Sequence, residues 1–561
     1  MATQQEIQHV NSKGSVSPSD EKAQHNAEVN SFTDPDAPGE IERGDLQRAL
    51  KPRQISMIAI GGAIGTGLII GTGAALSQGG PAGLLIGYTV MGAVCFCVMC
   101  ALGEMSASLP HKRGFTGYAT DFVDPAFGLA TGYNYLCKYL IVTPNQLSAS
   151  AILVSYWAPT LNPAVTISAF LVAIIAINFL GIRYFGEIEF WLSFSKIIVL
   201  TGLIILGIIL DLGGGPTGDR IGFRYWNGLD RAFNQYKVPG ALGRFLGVWS
   251  VMTLSLFAYM GSELVGVCVG ETANPRKAIP SAIKKTFFRI LVFYIIGSTL
   301  CGMLVPRDDP RLVGSAGAKK GTAGSSPFVI AIVRAQIPIL PSLVNACLLL
   351  FTLSASNSDL YIGARTLYGL AADGKAPKIF LNCNKRGVPY VCLALCSVFC
   401  GLAYMSASTG GAQAFGYLTS TVSIFGGLTW CSILFSHIRF MKACKVEGID
   451  RNDLPYKSPA GPYGSWFALI LTMIVLFFKG FASFIGPRFD YRSFITHYIG
   501  LPVFALLYIV SKIMWKSKLV KLDEMNLRER ARTFDDLNIK EDEEDQPRNM
   551  KEKVAHWAKN W

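Results

Sequence analysis

The sequence predicts an all-α polytopic membrane protein, on three observations. Of 561 residues, 51% are hydrophobic and only 16% are charged, where a soluble domain carries about 25% charged residues. The 51 basic and 38 acidic residues are unevenly spread, crowding into residues 1–53, the last stretch 516–561, and short links between apolar runs. Those runs repeatedly reach the length of about 20 residues that a helix rising about 1.5 Å per residue needs to cross hydrocarbon. A soluble enzyme of several domains is excluded.

Twelve spans follow, near 54–76, 83–109, 128–156, 164–182, 188–211, 245–270, 284–305, 340–363, 389–407, 412–436, 463–485 and 494–515. The apolar segment 326–338 is too short to span and reads as a re-entrant or surface helix. Lysine and arginine set the orientation, because cytoplasmic links carry an excess of them. His111-Lys112-Arg113, Pro275-Arg276-Lys277, Lys375, Lys378, Lys385, Arg386, Arg439, Lys442 and Lys445 fall on one side, whereas links 77–82, 157–163 and 408–411 hold no basic residue. Both termini are therefore expected in the cytoplasm. The outer loops 212–244 and 306–325 do hold several basic residues, but long loops testify less.

The net charge of +13 has the same topological origin and is no nucleic-acid signal. The thirteen cysteines, among them Cys95, Cys97, Cys100, Cys347, Cys396 and Cys400, sit mostly in apolar stretches and read as packing residues. No secretory signal opens the chain, and residues 1–53 read as a disordered cytoplasmic tail. The C-terminal tail, 516–561, has an acidic run at 541–545 and ends in KEKVAHWAKNW. That tail is either a solvated segment or an amphipathic helix on the inner membrane surface.

Two spans are unusual. Span 1 contains IAIGGAIGTGLIIGTG, with glycines at 61, 62, 65, 67, 71 and 73, each costing about 1 kcal/mol against alanine in a helix interior. Close packing through small residues explains Gly61-x-x-x-Gly65 and Gly67-x-x-x-Gly71; an unwound helix around a solute explains them equally. Span 6, FAYMGSELVGVCVGETANPRK, puts Gly261, Ser262 and Glu263 inside an apolar run, and a carboxylate there costs a few kcal/mol on insertion scales. Span 6 opens a second set of five as span 1 opens the first. Broken helices in corresponding positions point to a transporter with inverted repeats, here 54–211 and 245–436, followed by helices 11 and 12 in 437–515. A half-helix N-terminus suits a carboxylate, and the carbonyl end of another half suits an ammonium. An α-amino acid matches that polarity.

The segments RQISMIAIGGAIGTGL, GFTGYATDFVDPAFGLATGYNY, SELVGVCVGETANPRKAIP, SASNSDLYIGARTLYGLA and LPYKSPAGPYGSWFAL resemble the fungal amino acid permease family, within the amino acid–polyamine–organocation superfamily. The resemblance covers residues 50 to 515, and NYLCKYLIVTPNQL is most similar to the dicarboxylic branch. It implies a twelve-helix, five-plus-five inverted repeat with helices 1 and 6 broken. It also implies proton-coupled import of glutamate, aspartate and some neutral amino acids at the plasma membrane.

Carried over by position, the resemblance gives Ile64, Gly65, Thr66 and Gly67 the substrate carboxylate and the backbone of Phe257, Ala258 and Tyr259 the ammonium. Phe257 or Tyr259 resembles an aromatic gate; core packing accounts for either ring as well. Gly261 permits the bend, and Glu263 holds the broken segment or exchanges protons. Lys196, deep in span 5, resembles a stand-in for the coupling cation of sodium-driven relatives; tethering span 5 to unwound span 1 is the alternative. On span 3, Lys138 and Asn145 are seven residues apart and share a face, with Pro144 a potential kink between them. Relatives taking cationic or neutral amino acids carry a glutamate where Gln146 stands, so Gln146 removes a charge that would repel an acidic substrate. Lys138 attracts the substrate's side-chain carboxylate or pairs with a neighbour. Ser354, Ser356 and Asn357 on span 8 line the far side or act as interhelical hydrogen bonders. Glu104 reads as a structural or gating contact, and Glu271 and Arg276 as inner-gate residues.

An enzyme is not expected: the six histidines (9, 25, 111, 437, 497 and 556) form no i, i+4 pair, and no metal motif, nucleophile elbow or phosphate-binding lysine loop is present in the sequence. No cofactor is called for, and the partners are the amino acid, protons and the bilayer. Lys13 and Lys22 are possible acceptors of ubiquitin from the turnover machinery. An amino acid sensor with little net transport, or a broad neutral amino acid permease, would share this site.

Overall fold

The computed structural model describes Met57 and residues 64–532, apart from 112, 268–274, 313–325, 410 and 487. Every element described is a helix. A π-helical turn, Gly67–Gly71, leads into α1 (Thr72–Ser108). Then come α2 (Phe115–Phe122), α3 (Pro125–Val154), α4 (Pro163–Leu180), α5 (Ile182–Asp211) and α6 (Gly240–Ala258). The chain continues through α7 (Pro275–Arg289, prolonged by Ile290–Ile296 and Gly297–Leu304), α8 (Pro327–Arg334), α9 (Leu340–Ala372) and α10 (Tyr390–Phe399). The last helices are α11 (Gly411–Val446), α12 (Gly461–Phe477), α13 (Tyr491–Tyr498) and α14 (Gly500–Trp515).

Nine helices among the described residues are long and apolar enough to cross a membrane, or ten if α13 and α14, bent by 43°, form one span. Their outer faces carry Val172, Trp191, Ile198, Ile205, Phe467, Met473, Phe477 and Ile513, all exposed. Water would not tolerate so broad an apolar belt, but hydrocarbon does. The polar groups turn inward instead.

Two expectations are modified. The link expected at 77–82 is a kink within one helical run: Gly80 has φ +74° and Pro81 follows it. A Cβ on Gly80 would fall 2.6 Å from the Ala232 carbonyl oxygen, so a positive φ and a close approach coincide there. The segment 326–338 forms α8, whose residues 327–332 are buried in the core and not laid on a surface. Seven cysteines are buried and five partly so; the twelve described are all free. Residues 1–53 and 533–561, Gly61, Gly62 and Glu271 lie outside the described residues, as does the side chain of Arg276; the start of the C-terminal tail, 516–532, is described and holds a short helical turn at Leu522–Glu524.

The interior is organised by α3, packed between α9 and α11. Small residues let the helices close up: a Cβ on Gly132 would fall 2.8 Å from Leu370 Cδ2. Asn134 fastens α3 to α11, donating from Nδ2 to the Phe425 carbonyl (2.8 Å) and to Thr429 Oγ1 (3.0 Å). Helix α1 lies on α6 in the same manner, Gly79 and Gly87 receiving Val251.

At the end of α1, Glu104 is fully buried and joins three chain segments. It accepts from Arg451 Nε and Nη2 (both 2.7 Å) and from the Ser458 N–H (3.1 Å), and meets His437 Nε2 at 3.1 Å. His437 Nδ1 in turn meets Ser465 Oγ at 2.9 Å. The bonds to Glu104 hold the Arg451 guanidinium protonated above its ordinary value. Removing one partner from a buried charge cluster costs about 3–5 kcal/mol. Glu104→Ala should accordingly lower the apparent melting temperature of the detergent-purified protein by several degrees; an unchanged melting curve would show that the cluster carries no stability.

Candidate functional site

Of the two suspected helix breaks, the second lies wholly among the described residues, whereas residues 58–63 before the first lie outside them. On the first, Ile64 and Gly65 are non-helical, and the helix begins at Thr66 as the π-turn Gly67–Gly71. Thr66 makes no side-chain cap to this turn; its hydroxyl donates to Gln146 Oε1 at 2.7 Å. The leading N–H groups of the helix are thus left uncapped by the residue best placed to cap them, an arrangement suited to an anion. Tyr88 supports the turn from behind, its hydroxyl 3.0 Å from Thr72 Oγ1 and donating to the Gly67 carbonyl at 3.5 Å.

On the second, α6 stops at Ala258, residues 259–263 are irregular, and Leu264–Val267 turns helical again. Gly261 makes the bend with φ +93°, a conformation costly for a side-chain-bearing residue. Glu263 secures it. Its Oε2 accepts from the Gly261 N–H (3.1 Å) and the Trp430 indole N–H (3.3 Å), and its Oε1 takes the Lys138 ammonium. Lys138 also lies over the rings of Tyr135 and Tyr139, 5.1 and 4.8 Å from their centroids. Both charges are buried, where each needs the other.

The two breaks touch. A Cβ on Gly67 would fall 2.5 Å from the Ala258 Cα, so only glycine allows this approach. Phe257 meets Phe415 edge-on at 6.2 Å. Tyr259 faces α1 and α7: its hydroxyl donates to the Tyr88 carbonyl (2.7 Å) and its ring stacks on Tyr294 at 4.5 Å. Below the bend, Arg289 donates to Ser262 Oγ at 2.7 Å.

Gln146 lies between the first break and α9. Its Nε2 donates to Asp359 Oδ2 at 3.3 Å and stands 3.6 Å from the Cβ position of Gly65. Asn145 accepts from Thr419 at 3.4 Å, and its buried Nδ2 has no acceptor among the described residues. Lys196 is fully buried, 3.8 Å from Glu189 Oε1, which also accepts from Ser354 (2.7 Å) and Ser193 (3.2 Å). Asn357 is turned to Asn178, accepting at 2.9 Å, and Ser356 bonds back to the Thr352 carbonyl of its own helix.

The structure therefore brings Gly65, Thr66 and Gln146 together, joins Lys138 to Glu263 and Gly261, and links Ser354 to Lys196 through Glu189. Asn357 and Ser356 make helix contacts. Sequence reasoning missed Glu189, Asp359 and Trp430. The signal for Glu189 was its place seven residues before Lys196, two turns along one face. That for Asp359 was a carboxylate in an apolar helix, the same signal that drew attention to Glu263. Nothing local marks Trp430.

The pairing yields a test. Glu263→Gln leaves the Lys138 ammonium buried without its counter-charge and should cost about 3–5 kcal/mol. Adding Lys138→Met should recover most of that loss in a double-mutant cycle read by thermal unfolding; additive losses would mean the two groups are not coupled.

A family model described as amino acid permease matches residues 54–524. The dicarboxylic amino acid permease of Saccharomyces cerevisiae is 47% identical over 543 residues, covering 96% of this chain and 87% of its own. The proline-specific permease of Emericella nidulans is 39% identical, over 92% of this chain and 94% of its own. The general amino-acid permease of S. cerevisiae is 38% identical, over 92% and 85%. Among solved structures, a manganese transporter from Eremococcus coleocola aligns with a TM-score of 0.52 at 11% identity, over 86% of this chain and 98% of its own. That likeness concerns the fold alone.

Proposed function

The chain belongs to the amino acid permease family, and from that premise we propose that it is a proton-coupled symporter importing glutamate and aspartate, with some neutral L-amino acids, across the plasma membrane. The reading includes twelve spans as a five-plus-five inverted repeat, with both termini in the cytoplasm. The observation that carries it is the close approach of the helix start at Gly67 to the end of α6 at Ala258, with Gln146 bonded to Thr66. The similarity to a dicarboxylic amino acid permease supports the choice of substrate.

In this reading the uncapped N–H groups around Gly65, Thr66 and Gly67 receive the α-carboxylate. Carbonyls of the Phe257–Tyr259 end receive the ammonium, and Phe257, against Phe415, closes over the solute. Gln146 offers an uncharged amide where a carboxylate would repel an acidic side chain, and Asn145 has an amide hydrogen to donate. A proton arriving at Glu263 cancels its charge and releases that of Lys138, which then attracts the substrate's side-chain carboxylate. Proton and acidic substrate thereby favour each other, as symport requires. Lys196, beside Glu189, is the second proton-linked group.

The test is uptake of labelled glutamate by cells expressing the full chain. Uptake should rise as external pH falls, because the proton is a co-substrate, and a protonophore should collapse accumulation. Lys196→Met should abolish accumulation while leaving exchange, and Gln146→Glu should weaken glutamate about tenfold, about 1.4 kcal/mol, before it affects neutral substrates. Accumulation by the lysine variant equal to that of the wild type would remove Lys196 from coupling. Stronger competition by neutral than by acidic amino acids would favour a broad neutral range.

A further inference from the structure

Resting on the reading of the site as one for an amino acid, we propose that Asp359 is the counter-ion of the substrate's α-ammonium group, and that it makes the protein reject acids lacking an amine.

The argument starts from charge. Among the carboxylates facing the interior near the two breaks, Glu263 is fully buried and paired with Lys138, and Glu189 is fully buried and paired with Lys196. Asp359 differs on both counts. Its residue keeps part of its surface accessible, and its hydrogen bond among the described residues comes from the neutral Gln146 amide. The charged groups within its electrostatic reach are Lys138 on α3 and Lys196 and Glu189 on α5. Both lysines are already matched by a carboxylate. Farther along α9, Arg365 lies over the Tyr361 ring, and α10 presents Cys396 towards Gly363. A carboxylate in low dielectric needs a cation, and one that is only partly buried can take it from the solute.

Position supplies the second half. The Gln146 Nε2 that donates to Asp359 is the atom standing 3.6 Å from the Cβ position of Gly65, and Gln146 Oε1 accepts from Thr66. One side-chain amide therefore separates the positive end of a helix from a carboxylate. The two ends of an amino acid's backbone, carboxylate and ammonium, are separated by one carbon and match that polarity. An acid of the same length without the amine would face Asp359 with nothing to offer but like charge.

Two competitors separate the possibilities: glutamate, and glutarate, which has the same carbon chain without the amine. In cells expressing the wild type, unlabelled glutamate should compete with labelled glutamate far better than glutarate does. Asp359→Asn should weaken glutamate tenfold or more while glutarate competes as well as before or better, so that discrimination collapses. Asp359→Glu should keep most of it. Unchanged discrimination in Asp359→Asn overturns the proposal. So does loss of pH dependence with discrimination intact, which would make Asp359 a proton site. If the asparagine variant fails to reach the membrane, thermal stabilisation of the purified wild type decides: equal stabilisation by glutamate and glutarate overturns the assignment. Should the wild type carry alanine and no acidic amino acid, the substrate reading fails separately, and alanine against propionate tests Asp359 in the same way.

Discussion

Peptide groups freed by interrupting a helix in hydrocarbon have no water to bond, and each left unsatisfied there costs several kcal/mol. Most of the interior answers to that constraint. At the second break the Gly261 N–H finds Glu263. That carboxylate is itself a buried charge, so it draws in Lys138 and the Trp430 indole, and Lys138 is in turn walled by Tyr135 and Tyr139. One interrupted helix thus determines the polar chemistry of α3, α6 and α11 together. At the helix start Gly67–Gly71 the obvious internal cap is diverted, Thr66 bonding to Gln146 instead of to the turn.

Packing joins the breaks. Gly67 meets Ala258 backbone to backbone, and farther along the same pair of segments Gly79 and Gly87 receive Val251. Dispersion and close approach do here what the hydrophobic effect does in water, because lipid tails are no less apolar than leucine. The kink at Gly80 and Pro81 turns the chain within one helical run against the Ala232 carbonyl.

Charge is arranged by the same economy. Lys138 with Glu263, Lys196 with Glu189, and Arg451 with Glu104 each place a cation beside an acid, and the last of these ties the end of α1 to the segment between α11 and α12. Unlike the acids of these three pairs, the partly buried Asp359 has a neutral amide for its hydrogen-bond partner.

The helical membrane class and the interruption at Gly261 were legible in the sequence, because long apolar runs and a glycine beside a carboxylate in an apolar helix are local signals with local costs. Lys196 could be picked out as a lysine deep in an apolar run, and Gln146 only through the resemblance to the family. What the sequence could not decide was partnership. Lys138 and Glu263 are 125 positions apart, Gln146 and Asp359 are 213 apart, and Trp430 is 167 from Glu263. A lysine's local surroundings in the chain are equally compatible with a substrate contact or an ion pair. Only the packing of α3 against α9 and α11 brings these groups within hydrogen-bonding range, since electrostatic pairing depends on distance in space and carries no trace in local composition.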